Sequence, residues 1–292
     1  SKSVPSSACL LKGISSDGGL FVPQSFPTLS LAQIMSLADL SYSERAFEIL
    51  SRYLTDFTPE ELLECVRNAY DSGSFDNKEV APLTRLTPDE NVLELWHGPT
   101  CAFKDMALQL LPYLLVKAKE KQGITNEIMI LVATSGDTGK AALEGFCDVE
   151  GIRIAVFFPC DGVSNMQKMQ MVTQRGSNVT VGAIKGNFDD AQTGVKRIFA
   201  DTAFNELLAG RGVRLSSANS INWGRLVPQI VYYFSAYADL CKRNAIVPGD
   251  EINFVVPTGN FGNILAGYYA WRMGLPGNKF FCASISNKVL SE

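Results

Sequence analysis

An α/β protein, with parallel strands alternating with helices behind a helical N-terminal segment, is what this 292-residue sequence predicts. Three observations lead there. From residue 91 onward, short apolar runs recur without strict polar alternation, the pattern of strands buried on both faces. A stretch of helical periodicity follows most of these runs, which gives the strand–helix repeat of parallel sheets. Two of the runs end in glycine-bearing turns that open helices, at 134–139 and 258–262. Turns of this kind lie at the carboxyl ends of strands, where open α/β sheets bind ligands.

The elements follow in order. Residues 1–27 read as an irregular lead-in, with Asp17-Gly18-Gly19 as a turn and prolines at 23 and 27. Three helices come next. The first, 29–40, places Leu31, Ile34, Met35 and Leu37 on one face. The second, 43–53, opens with a serine cap and Glu44. The third starts at Thr58-Pro59-Glu60-Glu61, a cap, a proline suited to the first turn and acids on the positive helix end, and stops near Gly73. The apolar runs are 92–95, 128–133, 152–158, 179–184, 213–216, 252–256 and 280–285. The helical stretches are 103–121, 138–149, 164–174, 188–208, 221–243 and 262–273.

Composition excludes several classes. At 46% hydrophobic and 19% charged, the chain is globular, and its length suits roughly two domains. A net charge of −4 with no Lys/Arg block argues against nucleic acid or an anionic membrane as partner. No apolar run approaches the roughly 20 residues that span a bilayer. Seven cysteines stand singly, without a Cys-x-x-Cys pair, and signal neither a disulfide framework nor a zinc site. They read as reduced thiols of a cytoplasmic protein. The N-terminus has no signal-peptide core and no initiator Met, as in a trimmed or processed chain. A single histidine, His97, excludes multi-histidine metal sites and makes any Ser-His or Cys-His mechanism depend on one ring. Chemistry therefore rests on lysine, backbone amides, carboxylates or a cofactor.

Four segments carry that chemistry. In His97-Gly98-Pro99-Thr100-Cys101-Ala102-Phe103-Lys104-Asp105, a lysine follows a Gly-Pro turn where a helix starts. By residue type Lys104 reads as a surface lysine at a helix end. Buried beside a cleft, its amine would be desolvated toward the neutral, nucleophilic form. In Thr134-Ser135-Gly136-Asp137-Thr138-Gly139, small residues and hydroxyls at a strand–helix junction suit close approach by an anion, or a plain capped turn. It is not a P-loop, since the Gly-Lys-Ser/Thr ending is missing. In Gly259-Asn260-Phe261-Gly262-Asn263, free amides make a nest for phosphate, or a turn with asparagine in the left-handed region. In Asn219-Ser220-Ile221-Asn222-Trp223-Gly224-Arg225, the polar residues cap a helix, and Arg225 is either a surface charge or the planar fork of an anion site. His97 reads as a packed ring hydrogen-bonded to backbone, or as a brace for the lysine loop.

All four segments, in this order, resemble the motifs of the threonine synthases, pyridoxal phosphate (PLP) enzymes of the tryptophan-synthase-β-like fold type II. The similarity extends to Gly13-Ile14-Ser15-Ser16-Asp17-Gly18-Gly19-Leu20-Phe21, to Phe188-Asp189-Asp190 with Gln192, and to Val231-Tyr232-Tyr233-Phe234, so it covers nearly the whole chain. The resemblance implies two three-layer, parallel-sheet domains: a large cofactor-binding domain from 86–122 and 213–292, and a small α/β domain from 123–212, after a mostly helical segment 1–85. It implies conversion of O-phospho-L-homoserine and water to L-threonine and phosphate. Lys104 would hold PLP as a Schiff base, and Gly259, Asn260, Phe261, Gly262 and Asn263 would hold its phosphate. Thr134, Ser135, Gly136, Asp137 and Thr138 would grip the substrate carboxylate, with Asp137 facing the ring hydroxyl. Asn219, Ser220 and Arg225 would bind the substrate phosphate. Asp137 fits such a loop only if it points away or pairs with a cation. Family members run longer, and the segment that places a hydroxyl beside the pyridine nitrogen has no counterpart within these residues. The expected partner is a small-molecule substrate, with the chain a monomer or homodimer. Another fold-type-II lyase (a phospho-lyase or a dehydratase) and a non-catalytic relative are the competing readings.

Overall fold

The computed structural model describes residues 3–15, 18–257 and 261–284. The lead-in is not irregular throughout: α1 (Ser6–Lys12) is a helix that buries Ser7, Leu10 and Leu11. Its first turn is capped from a distance. The Asp56 carboxylate accepts from Ser7 N at 3.1 Å and from Ser6 Oγ, so no local signal announces the helix. α2 (Leu31–Ser36), α3 (Tyr42–Leu50) and α4 (Pro59–Tyr70) follow, each opened by a capping box, at Ser30/Gln33, Ser41/Glu44 and Thr58/Glu61. The cap of α3 is thus Ser41 rather than Ser43, because only Ser41 stands three residues before Glu44.

The run at 92–95 does not join a parallel sheet. It forms β2 (Asn91–Leu93), which pairs antiparallel with the short β1 (Leu83–Arg85), Thr84 opposite Val92. The predicted helix 103–121 is two: α5 (Asp105–Leu108) and α6 (Leu111–Lys121). Pro112 explains the break, since its ring would collide with the Leu108 carbonyl in a continuous helix.

β3 (Glu127–Ala133), α7 (Asp137–Gly145), β4 (Ile152–Pro159), α8 (Asn165–Val172), β5 (Val179–Ile184) and α9 (Phe188–Ala200) then alternate as expected. The predicted helix 188–208 also divides. Asp201, in an extended conformation, ends α9 and caps α10 (Thr202–Gly210), accepting from Phe204 N at 2.9 Å. β6 (Val213–Ser217), α11 (Trp223–Lys242), β7 (Ile252–Pro257), α12 (Gly262–Arg272) and β8 (Gly277–Ala283) complete the described chain.

Two parallel sheets result. One has the order β5-β4-β3-β6, with Ile130 beside Ile154 and Met129 beside Leu215. Ile130, Val132, Ile154 and Val156 join the main core on one face with Leu143 of α7 and Phe146 just after it. Leu131, Ala133 and Ala155 pack on Ala191 and Val195 of α9 on the other. Strands covered on both faces are why these runs are apolar without alternation. The other sheet pairs β7 with β8. Among the described residues, no helix is long and apolar enough to cross a membrane.

The spine of the molecule is α11, of whose twenty residues eighteen are buried, which requires neighbours all round. Arg45 of α3 ties the N-terminal helices to it. This buried guanidinium donates to the Leu37 and Ala38 carbonyls, to Ser235 Oγ at 2.7 Å and to Asp239 Oδ1 at 2.8 Å.

Candidate active site

Lys104 stands where a tight loop runs into α5. The loop wraps a buried carboxylate: Asp105 accepts from Thr100 N at 2.8 Å and Thr100 Oγ1 at 2.7 Å. Gly98 permits that wrap, for a Cβ there would lie 2.5 Å from the Asp105 Cβ. So held, the Lys104 side chain is only 12% exposed, with Nζ 3.4 Å from Asp137 Oδ2 and 4.6 Å from the Phe103 ring centre. Burial pushes its amine below the ordinary lysine value; Asp137 opposes that, and Arg225 adds to it.

Across the cleft, β3 passes into α7 through Thr134–Thr138. Thr134 Oγ1 accepts from Gly136 N at 3.0 Å and Gly139 N at 2.9 Å, tying up amides at the helix start. Gly136 has a φ of 147°, open to glycine but not to side-chain-bearing residues. Asp137 does pair with a cation: Oδ2 faces Lys104, while Oδ1 accepts from Gln167 Nε2 at 2.8 Å.

The third wall is the start of α11. Asn222, fully buried, caps it through Gly224 N and donates to the carbonyls of Leu10 and Ser217. Arg225 is 3% exposed and donates from Nη1 to the Ala218 carbonyl at 2.7 Å, while its buried Nε has no partner among the described residues. Burial lowers its pKa to about 10, which leaves the guanidinium charged at neutral pH. From α12, Asn263 is held by two buried phenols: its Oδ1 accepts from Tyr232 at 2.5 Å and Tyr233 at 2.9 Å. With Oδ1 held by both phenols, the amide NH2 is the end of the side chain that can face a ligand.

Lys104, Thr134, Ser135, Thr138, Asn219, Ser220, Arg225, Gly262 and Asn263 line one cavity of about 1070 Å³. Three residues do not. Gly136 is buried against Gln167, Asp137 reaches the site only through Lys104, and the Phe261 side chain is 48% exposed at the start of α12. Gly259 and Asn260 lie outside the described residues. Asn219 spends its amide on the Ala133 carbonyl at 2.9 Å, joining the ends of β6 and β3. The described lining has no Asp or Glu, yet it includes Lys12, Lys104, Lys196, Arg214 and Arg225, so the cavity favours anions.

His97 meets carboxylates rather than backbone through its ring: Nδ1 lies 2.5 Å from Asp76 and Nε2 2.7 Å from Glu94. Burial alone would lower its pKa, but the two carboxylates outweigh it and raise it. Sequence reasoning missed Gln167, Gln229 and the roles of Tyr232 and Tyr233. Gln167 shows in sequence only as the third residue after Ser164, which signals a helix cap and nothing more.

A lysine set before a short helix, facing a glycine loop off a parallel sheet, places the protein in the fold-type-II class of PLP enzymes. The chain superposes over 99% of its length on the PLP-bound threonine synthase of Brucella melitensis, with a TM-score of 0.87 and 42% identity. On the Escherichia coli threonine synthase the TM-score is 0.85 at 34% identity. Residues 1–70 match the family described as threonine synthase N terminus. The chain is 44% identical to threonine synthase of Pseudomonas aeruginosa over 96% of its length, and 44% identical to threonine synthase-like 1 of Homo sapiens over 98%. It belongs to the threonine synthase family. It spans 57% of the Pseudomonas protein, 39% of the human one and 59% of the Brucella chain.

Proposed function

We propose that this chain carries the PLP-binding lysine and the phosphate-binding wall of a threonine synthase, a lyase that turns O-phospho-L-homoserine and water into L-threonine and phosphate. The observation that carries this reading is the buried Arg225 Nε, without a partner among the described residues, on a cavity whose described lining has no carboxylate and includes a desolvated Lys104. A buried charged donor without a partner costs stability unless an anion completes it.

The residues fit the cofactor. Lys104 would hold it covalently, while Gly262 and the NH2 of Asn263, with Gly259 and Asn260, would hold its phosphate. When bound, the group supplies an electron sink for negative charge at the substrate's Cα. The rest is done by the chain. Released from the cofactor, the Lys104 amine is the base that takes the Cα proton, and its lowered pKa favours the neutral form that this requires. Ser135 and Thr138 bind the substrate carboxylate at the α7 terminus, on the loop that Thr134 and Gly136 shape. Arg225, with Ser220 and Asn219 at the rim, holds the phosphate in line for departure.

The test is to supply the PLP-loaded chain with O-phospho-L-homoserine and measure both inorganic phosphate and threonine. Equal release of the two supports the reading. Release of phosphate without threonine would replace it with a phospho-lyase activity, and release of neither would refute catalysis by this chain.

A further inference from the structure

Gln167 lies on α8, thirty residues from Asp137 in sequence, and makes three contacts that together define its orientation. Its Oε1 accepts from Ser164 N at 3.1 Å, completing the cap of α8. Its Nε2 donates to Asp137 Oδ1 at 2.8 Å. Its amide lies flat against Gly136, where a Cβ would fall 2.4 Å from Cδ and Nε2. The amide can sit only one way round. Ser164 N is a donor and needs Oε1, whereas the Asp137 carboxylate is an acceptor and needs the NH2.

We propose that Gln167 is a positioning residue of the lysine cleft: its amide fixes one oxygen of Asp137 so that the other stays turned to Lys104. Asp137 is 49% exposed and, without that donor, is free to turn into water. The absence of a side chain at Gly136 gives Gln167 the room to do this, so the glycine serves the carboxylate as well as the loop. The inference rests on the reading of Lys104 as the working lysine. Three charged groups act on that amine: Asp137 and Asp105 favour its protonated form, and Arg225 disfavours it.

The experiment needs no cofactor. The cofactor-free 292-residue chain is labelled with a trace of acetic anhydride across a range of pH, and acetylation of Lys104 is read by mass spectrometry. Gln167→Met removes the donor at similar volume. It should raise Lys104 acetylation at neutral pH by roughly threefold, the size of half a pKa unit. The same substitution made in Asp137→Asn should change nothing further, because the carboxylate it works through is gone. An unaltered rate in Gln167→Met, or an effect that persists in Asp137→Asn, overturns the proposal. Should Gln167→Met not fold, the link is read from the other side by ¹⁵N NMR. The Gln167 side-chain NH2 signal must shift in Asp137→Asn, and an unmoved signal overturns the proposal. A chain that fails to bind PLP yet shows the labelling effect would refute the cofactor reading alone; one that binds PLP at Lys104 without the effect refutes only the role of Gln167.

Discussion

The two walls of the cleft are built differently. The wall made by α5, α11 and α12 is buried: Asp105, Asn222, Arg225, Gln229, Tyr232 and Tyr233 lie under 9% exposure, and each has a hydrogen-bond partner. The wall made by the β5-β4-β3-β6 sheet is looser. Ser135 and Asp137 are exposed, α8 buries only Met171, and α10 buries nothing. The chemistry is divided accordingly. The two cationic side chains whose ionisation burial shifts, Lys104 and Arg225, are set in the buried wall. Groups expected to receive the substrate carboxylate, Ser135 and Thr138, sit on the looser one, where a ligand can still reorder them.

Hydrogen exchange gives the sharpest way to break this comparison. Amides in the middle of α11 should exchange at least a hundredfold more slowly than those of α10, since only global unfolding opens the former. Equal rates would mean that the two walls do not differ in stability. Next in size is the loss of Arg225. Because hydrogen bonds to charged groups contribute about 1.5–3 kcal/mol, Arg225→Ala should raise the KM for O-phospho-L-homoserine roughly 10- to 100-fold. Arg225→Lys should recover only part of this, lacking the planar fork. A kcat defect with unchanged KM would contradict a binding role.

The smallest effect concerns His97, which braces the outer edge of the buried wall just before Gly98. Its folded pKa is raised by Glu94 and Asp76 against an ordinary value of 6.5. A raised pKa means that its stabilisation is complete below pH 6.5 and fades as pH rises through the folded value. The stability difference between wild type and His97→Gln, by urea denaturation, should therefore be larger at pH 5.5 than at pH 9. A difference that grows with pH would show that the ring is held neutral.

Much of this was legible in the sequence. The strand and helix periods place β3 through β6 within a residue or two, because burial on both faces leaves continuous apolar runs. The errors lie where distant residues decide. α1 is capped by Asp56, about fifty positions away, and the strand at 91 pairs backward with three residues that carry no strand pattern of their own. Pro112 was a readable break, overridden by the strong periodicity around it. In the site, the motif residues Lys104, Thr134, Arg225 and Asn263 stand out through the resemblance of their segments to the threonine synthase motifs, since by type alone Lys104 reads as a surface lysine. Gln167 and the phenols of Tyr232 and Tyr233 do not, since their work is to orient another side chain and only geometry reveals it.

The central claim is that Lys104 is the cofactor lysine, and one measurement addresses it directly. The purified chain is mixed with PLP, its absorption spectrum recorded, the sample reduced with borohydride and the peptides mapped. The account predicts a visible band that reduction abolishes, leaving the pyridoxyl label on Lys104. A folded chain that shows no band, or that carries the label on another lysine, would contradict it.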